Sequence, residues 1–302
     1  MHRPVLLNEV LTVLEPRAGA RFLDGTFGRG GHTAALLQAG ARVVALDQDP
    51  AAVEAARSFA PHLHSGQLII EHMNFRDLGT VAQREGGFHG ILLDLGVSSP
   101  QLDQPERGFS FQNDGPLDMR MDPHRNPSTA ADLVNHLPSQ DLARLLFDLG
   151  GERHARSIAR AIVAARARAP ITSTLALANL IEQTVGGRRG SRIHPATRSF
   201  QALRLAVNDE LGALDQALAA IPSALLPGGR LAVISFHELE DRRVKHFIDH
   251  HSRPEIRSPG MAFGHPNPDY CLRKLRRIDP SPEEIAANPR ARSARLRGAI
   301  RQ

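Results

Sequence analysis

Cysteine, lysine and long apolar runs are what this 302-residue chain has least of. A lone Cys271 excludes an internal disulfide and a cysteine-built zinc cluster, and a reducing cytoplasm is the compartment expected for it. No apolar run reaches 18 residues, which excludes a helical membrane span. The start, Met1-His-Arg-Pro-Val-Leu-Leu-Asn-Glu9, has neither the apolar core nor the cleavage site of a signal peptide. Lysine is confined to Lys245 and Lys274, so the net charge of +5 rests on arginine, the residue suited to bidentate phosphate recognition. That charge is lopsided. Residues 1–150 hold 12 basic against 18 acidic side chains, a net of −6, and residues 151–302 hold 25 against 14, a net of +11. The asymmetry predicts a first half that handles a cofactor and a second half that meets a polyanion.

Two phosphate motifs are also missing. No Gly-Lys-Ser/Thr follows a glycine turn, which excludes a P-loop. Gly28-Arg-Gly30 opens a Gly-x-Gly-x-x-Gly pattern, but Thr33 stands where its last glycine belongs, which disfavours a pyrophosphate and hence a nicotinamide dinucleotide. What is present instead is Arg21-Phe-Leu-Asp-Gly-Thr-Phe-Gly-Arg-Gly-Gly-His32. An apolar run ends in Asp24, four glycines follow, and helical spacing begins at His32: strand, turn, helix. The next run, Ala41–Leu46, ends in Asp47, 17 residues after Gly30 and placed to accept ribose hydroxyls. An acid before the glycines suits a cationic ligand group. S-adenosylmethionine carries an ammonium and a sulfonium and no phosphate.

The same alternation continues down the chain. Val5–Leu14 has helical spacing and should cover one face of a sheet; Asp49-Pro50 opens a helix to about Ala60. Gln67–Glu71 and Phe88–Asp94 read as further strands, with a helix starting at Asn74-Phe75 between them. This predicts a parallel, doubly wound sheet with its ligand beyond the carboxyl strand ends, where Asp24, Asp47, Phe75 and Asp94 fall. After Asp94 the rhythm breaks into a loop rich in Gly, Pro, Asp and Arg as far as Asn126. Helical segments follow at Thr129–Leu137, Ser139–Leu149, Glu152–Arg168 and Thr174–Val185. The expected organisation is a sheet domain from 1–111, an all-helical insertion over 112–205 and the rest of the sheet domain over 206–302. Within the last part a helix to about Ile221 leads to a strand at Arg230–Phe236 and a helix opened by His237–Asp241. Tyr270–Ile278 and Ser293–Ile300 should pair as an antiparallel hairpin at the sheet edge.

Asp94-Leu-Gly-Val-Ser-Ser-Pro-Gln101 lies where enzymes that methylate exocyclic amino groups carry a polar, proline-containing loop. This loop has no aromatic residue, so Phe109 and Phe111 are read either as base-stacking residues or as core anchors of the long loop. Methylation of a ring carbon needs a thiolate, and Cys271 lies far down the chain. Direct attack by an amino nitrogen needs alignment, a few hydrogen-bond acceptors and eventual proton loss; Ser98, Asp118 and His237 are candidate acceptors. No metal is expected; His246 and His250, at helical spacing, read as solvated. Arg153, Arg156 and Arg160, then Arg188, Arg189 and Arg192, then Arg273–Arg277 and Arg290–Arg301, are the clusters suited to RNA phosphates.

Taken in order, Asp24–His32, Leu92–Gln101, Arg107–Phe111, Asp114–Asp122, His194-Pro-Ala-Thr-Arg198, Ser235–Asp241 and Asn288–Ser293 resemble the bacterial RsmH (MraW) family over nearly the whole chain. The resemblance implies the class I S-adenosylmethionine-dependent methyltransferase fold, a Rossmann-like sheet domain with an inserted helical domain. It implies methyl transfer to the exocyclic amino nitrogen N4 of a cytidine in the decoding region of 16S rRNA, within the small ribosomal subunit. It carries the cofactor contacts to Gly30, Gly31, His32, Asp47, Phe75, Asp94 and Gln101. Where the family commonly has serine, this chain has Glu238.

Overall fold

The computed structural model describes residues 4–188, 193–256 and 264–302, and divides the chain into two units: 1–96 with 211–302, and 97–210. The first unit begins with α1 (Leu7–Leu14), β1 (Arg21–Asp24), α2 (Gly31–Gln38), β2 (Arg42–Asp47), α3 (Pro50–Ala55), α4 (Ala60–His64), β3 (Leu68–His72), α5 (Leu78–Glu85) and β4 (Phe88–Asp94). The second holds α6 (Ser99–Asp103), α7 (Ala130–His136), α8 (Ser139–Gly150), α9 (Ala155–Arg166), α10 (Thr174–Thr184) and α11 (Thr197–Asn208). The first unit then resumes with α12 (Glu210–Ala224), β5 (Leu225–Ser235), α13 (Glu238–His251), β6 (Glu255–Ile256), β7 (His265–Pro266), β8 (Leu272–Lys274), α14 (Pro282–Ala287) and β9 (Arg295–Arg301).

Seven strands form one sheet in the order β3-β2-β1-β4-β5-β9-β8. β1 to β5 run parallel, whereas β9 pairs antiparallel with β5 and β8 antiparallel with β9, so the tail hairpin expected from the sequence closes one edge. Alternation along the strands explains the two layers of helices. Phe22, Val43, Ala45, Leu92, Ala232 and Ile234 point to one face, where α1 and α2 bring Val10, Val13, Leu14 and Leu36. Leu23, Val44, Leu46, Ile91, Leu93, Leu231 and Val233 point to the other, against α5, α12 and α13. A sheet buried on both faces is a Rossmann-like, class I methyltransferase arrangement, and only its strand ends are free for chemistry.

The helical unit begins earlier than residue 112 and ends later than 205. Its core contains Phe109, Leu117, Met119 and Met121 from the long loop, packed with helix residues such as Leu142, Ile158, Leu177 and Phe200. Asn208 pins that loop from the end of α11: its Nδ2 donates to Met119 O at 2.8 Å and its Oδ1 accepts from Met121 N–H at 2.8 Å. The loop shows no helical period, so its membership could not be read from spacing. At the other end, the helix expected to run on to about Ile221 breaks at Asp209, which has φ 46°, and α11 stays with the helical core while α12 packs under the sheet.

The charge asymmetry between halves does not survive the division into units. Residue 150 falls inside the helical unit, so the sheet unit holds 23 basic against 20 acidic side chains and the helical unit 14 against 12. Within the helical unit the contrast persists, with ten arginines against four acids over residues 151–210.

Candidate functional site

The carboxyl ends of the parallel strands gather the acids that the sequence singled out. Asp24 is 1% exposed at the end of β1. The Thr33 hydroxyl donates to its Oδ2 at 2.7 Å and the Thr26 amide to its Oδ1 at 3.1 Å. Burial pushes its carboxyl above the usual range, against the pull of these donors. Asp94, at the end of β4, donates its own N–H to Thr26 Oγ1 at 2.7 Å, which ties β4 to the glycine turn. His32 sits in the first turn of α2, buried, with Nε2 3.6 Å from Asp94 Oδ2. Burial opposes charge on this imidazole, but the neighbouring Asp94 carboxylate outweighs it and holds His32 above the usual histidine range.

The turn between β1 and α2 is shaped by its glycines. Gly30 adopts φ 73°, where a side chain is strained, and a Cβ there would lie 2.7 Å from the rings of Phe27 and Phe59. A Cβ on Gly31 would lie 2.3 Å from Pro4. The missing side chains therefore let the turn pack on the protein, and α2 begins without a side-chain cap, its first amides available to a ligand. Asp47 at the end of β2 reaches back to this turn: Gly28 N–H donates to its Oδ2 at 2.7 Å and Asp49 N–H to its Oδ1 at 2.8 Å. Burial pushes Asp47 up to about 6, with the two amides pulling the other way. Gly28, which positions Asp47, was absent from the expected contacts; the Asp47 spacing from the turn was its only signal. Phe75 follows β3, its Cβ beside Gly25, and Asn74 caps that turn by accepting from Arg76 N–H at 2.9 Å.

Other expected residues lie elsewhere or have other tasks. Gln101 belongs to the helical unit, is buried, and turns its Oε1 back to accept the Ser98 N–H at 2.9 Å in a capping box at the start of α6. Ser98 is therefore a helix cap. Asp118 forms a two-bond pair with Arg120, at 2.8 and 2.7 Å. Burial would raise its carboxyl, but Arg120 wins and holds it below the usual range. Phe109 is 7% exposed, and Phe111 packs 4.7 Å from the rings of both His194 and Phe200. Both are core anchors of the helical unit, not base-stacking residues. Glu238 is an exposed first-turn acid of α13, paired with Arg242 at 3.0 Å.

His237 is the candidate acceptor that the sheet brings to the strand ends. Ile234 pairs with Asp94 across β5 and β4, and His237 follows three residues later. Its Nε2 lies 3.1 Å from Oε1 of buried Glu240, and its side chain takes part in the capping box that opens α13 with Glu240. Cys271 lies at the other end of the sheet. Leu272 pairs with Arg301, and Ile300 pairs with Arg230 at the start of β5. Cys271 is thus separated from the Asp94 level by at least five residues of strand, about 17 Å. Burial pushes its thiol up, away from the thiolate form.

The basic clusters also separate. Arg153, Arg156 and Arg160 are exposed along α9. Arg273, Arg276 and Arg277 are exposed on and after β8, but Arg295 and Arg297 bind Asp241. Arg301 donates to Leu225 O, so most of the arginine-rich tail is spent on the fold. Arg188 pairs with Glu182 at 3.3 Å; Arg189 and Arg192 lie outside the described residues. His250 pairs with Asp269 at 2.8 Å, and among the described residues no three His, Cys, Asp or Glu side chains are grouped to hold a metal. No described helix is long and apolar enough to cross a membrane.

The unpaired atoms test what ligand fits. Among the described residues, Asp94 Oδ1 and both ring nitrogens of His32 are buried without hydrogen-bond partners, a state that folded proteins rarely leave. A ligand with an ammonium and a carboxylate satisfies both, and a ribose satisfies Asp47. S-adenosylmethionine supplies all three. Comparison with known proteins points the same way. The model described as the MraW methylase family matches residues 1–302. Ribosomal RNA small subunit methyltransferase H of Brucella canis and that of Brucella ovis are each 50% identical over 305 residues, covering 99% of this chain and 87% of theirs. Among solved structures, an rRNA methylase from Streptococcus thermophilus overlaps with a TM-score of 0.42 at 11% identity, covering 100% of this chain and 98% of that one. An overlap that loose carries no argument.

Proposed function

The chain belongs to the MraW methylase family, and on that premise we propose that it uses S-adenosylmethionine to methylate N4 of a cytidine in the decoding region of 16S rRNA in the cytoplasm. The observation that carries the chemical assignment is the content of the strand ends: acids, an imidazole and unpaired polar atoms, with the chain's single thiol at the opposite end of the sheet. S-adenosylmethionine supplies an electrophilic methyl group on a sulfonium. Asp47, oriented by the Gly28 amide, would hold the ribose, Phe75 would lie against the adenine, the α2 amides and His32 would take the carboxylate, and Asp94 would face the ammonium. The amino nitrogen would bond to the sulfonium methyl in line as the carbon–sulfur bond breaks, S-adenosylhomocysteine leaving as a neutral thioether, with no covalent bond to the enzyme. His237, whose ring stands beside Glu240 at the start of α13, is our candidate for the group that receives the proton the amino group sheds.

Two results are expected. Nucleoside mass spectrometry on rRNA from a strain lacking the gene, after incubation with the enzyme, should place the methyl on the exocyclic nitrogen. Cys271→Ser should retain that activity, and RNA carrying fluorocytosine at the target should form no lasting adduct. Methyl on a ring carbon, or a trapped enzyme–RNA adduct, would overturn amino transfer. His237→Gln should lower the single-turnover rate by roughly 10²–10⁴-fold, the usual worth of a positioned base, with cofactor affinity unchanged. An unaltered rate would remove His237 from the reaction.

A further inference from the structure

Phe147 is the most exposed large apolar side chain among the described residues, with 60% of its surface accessible. The packing of α8 does not require it there. Leu142 and Leu146 are fully buried on its inner face, and Asp141, Arg144 and Asp148 share the outer face with Phe147. An aromatic ring left in water gains nothing for folding. Its setting is basic. Arg144 stands three residues before it, almost one helical turn. Gly150, three residues after it, lets α11 approach closely: a Cβ there would meet Arg198 O at 2.5 Å. Arg198 Nη1 reaches Gly151 O at 3.4 Å, and Gly151 N–H in turn donates to Phe147 O at 2.9 Å. The Arg198 guanidinium thus sits at the end of α8, at a residue one helical turn beyond Phe147. Across the short connection to α9 come Arg153 and Arg156, then Arg160, all exposed. Asp141 partly offsets Arg144, at 3.9 Å, and Asp148 adds a second acid, so the positive balance of this corner rests on Arg198, Arg153, Arg156 and Arg160.

An exposed ring among arginines is the chemistry that holds unpaired nucleic acid: the ring takes a base face and guanidinium groups take the flanking phosphates. We propose that the corner formed by the end of α8, the start of α9 and the start of α11 stacks an unpaired base of the RNA substrate on Phe147, with Arg198 and Arg144 on neighbouring phosphates. The inference rests on the proposed rRNA substrate and names a docking surface for it, separate from the reacting nucleotide.

The test is equilibrium binding to unmodified 16S rRNA and to small ribosomal subunits from a strain lacking the gene. Phe147→Ala should weaken RNA binding roughly 5- to 100-fold, the range for loss of one base–aromatic stack. The slope of affinity against salt should stay as it was. Arg144→Ala with Arg198→Ala should flatten that slope by about 0.7 for each phosphate no longer neutralised by a guanidinium. Phe147→Trp should keep the affinity. Because the chain has no tryptophan, the introduced indole is the one such fluorophore and should be quenched as RNA binds. S-adenosylmethionine affinity should be the same in every variant, which checks folding. Equal RNA affinity for Phe147→Ala, or an indole signal indifferent to RNA, overturns the assignment. So does a concentration-dependent dimer that Phe147→Ala abolishes while RNA affinity is kept, since the ring would then serve self-association. Failure of the wild-type chain to bind or methylate rRNA would instead remove the underlying reading.

Discussion

Asp47→Ala should weaken S-adenosylmethionine binding about 10- to 150-fold, the equivalent of roughly 1.5–3 kcal/mol for one charge-assisted acceptor. The reason is geometric. Asp47 stands at a strand end, already oriented by the Gly28 and Asp49 amides, with lone pairs left for two ribose hydroxyls. Its ionisation adds a second signature. Burial raises the carboxyl to about 6, so below that pH the free enzyme protonates the group that the ligand needs ionised. Affinity should therefore fall as pH drops from 7 to 5, and Asp47→Asn should be flat in that window. Asp49 and Asp24 act on the same carboxyl, and His32 titrates nearby, so the asparagine variant is the control that isolates Asp47.

Stability should move the other way. A folded value raised above the unfolded one contributes stability below the unfolded value and loses it as pH rises through about 6. At neutral pH the ionised Asp47 costs folding on the order of 3 kcal/mol. Asp47→Asn removes that charge cost but turns an NH2 toward one of the two amide donors, so its stability should lose the change through pH 6 seen in wild type, while it binds the cofactor worse. Calorimetric titration with urea unfolding measures both. Unchanged affinity in the folded variant would remove Asp47 from the ribose site.

Asp241→Ala should be the most destabilising single change, by about 3–5 kcal/mol. Asp241, in the first turn of α13, accepts two bonds from buried Arg297 at 2.6 and 3.0 Å and one from Arg295 at 2.9 Å. Removing it leaves the Arg297 cation buried without its carboxylate and detaches β9 from the helix that follows β5. Burial alone would raise the Asp241 carboxyl, but Arg297 and Arg295 overcome it and hold the carboxyl low. Its contribution is therefore present above the ordinary carboxylate range and is lost as pH falls through the lowered value. Urea midpoints for variant and wild type should differ most at neutral pH and converge in acid. Equal midpoints at pH 7 would mean that the two arginines are satisfied by solvent.

The sheet unit was legible in the chain alone. Phe22-Leu23-Asp24, Val43–Asp47 and Ile91–Asp94 alternate sides or end in acids within a few residues of chain, and the glycine turn is written in consecutive residues. Patterns of period 2 and 3.6 are local, so the alternation of strands and helices, the strand-end acids and the tail hairpin could all be read from spacing. What depends on distant partners was settled by folding. The loop from Val97 to Asn126 joins the helical core because Asn208 and Phe200 meet it, and neither spacing nor composition encodes that meeting. Arg297 and Arg153 look alike in sequence, yet one is consumed by Asp241 from 56 residues away and the other faces solvent. Asp118 carries nothing in its sequence neighbourhood that announces its two-bond pair with Arg120; the turn of the loop makes it. Cys271 could be called remote from sequence, but the antiparallel register of β8 and β9 is what puts it at the wrong end of the strands. A side chain's chemistry is set by what surrounds it, and those surroundings come from packing between segments that no local period connects.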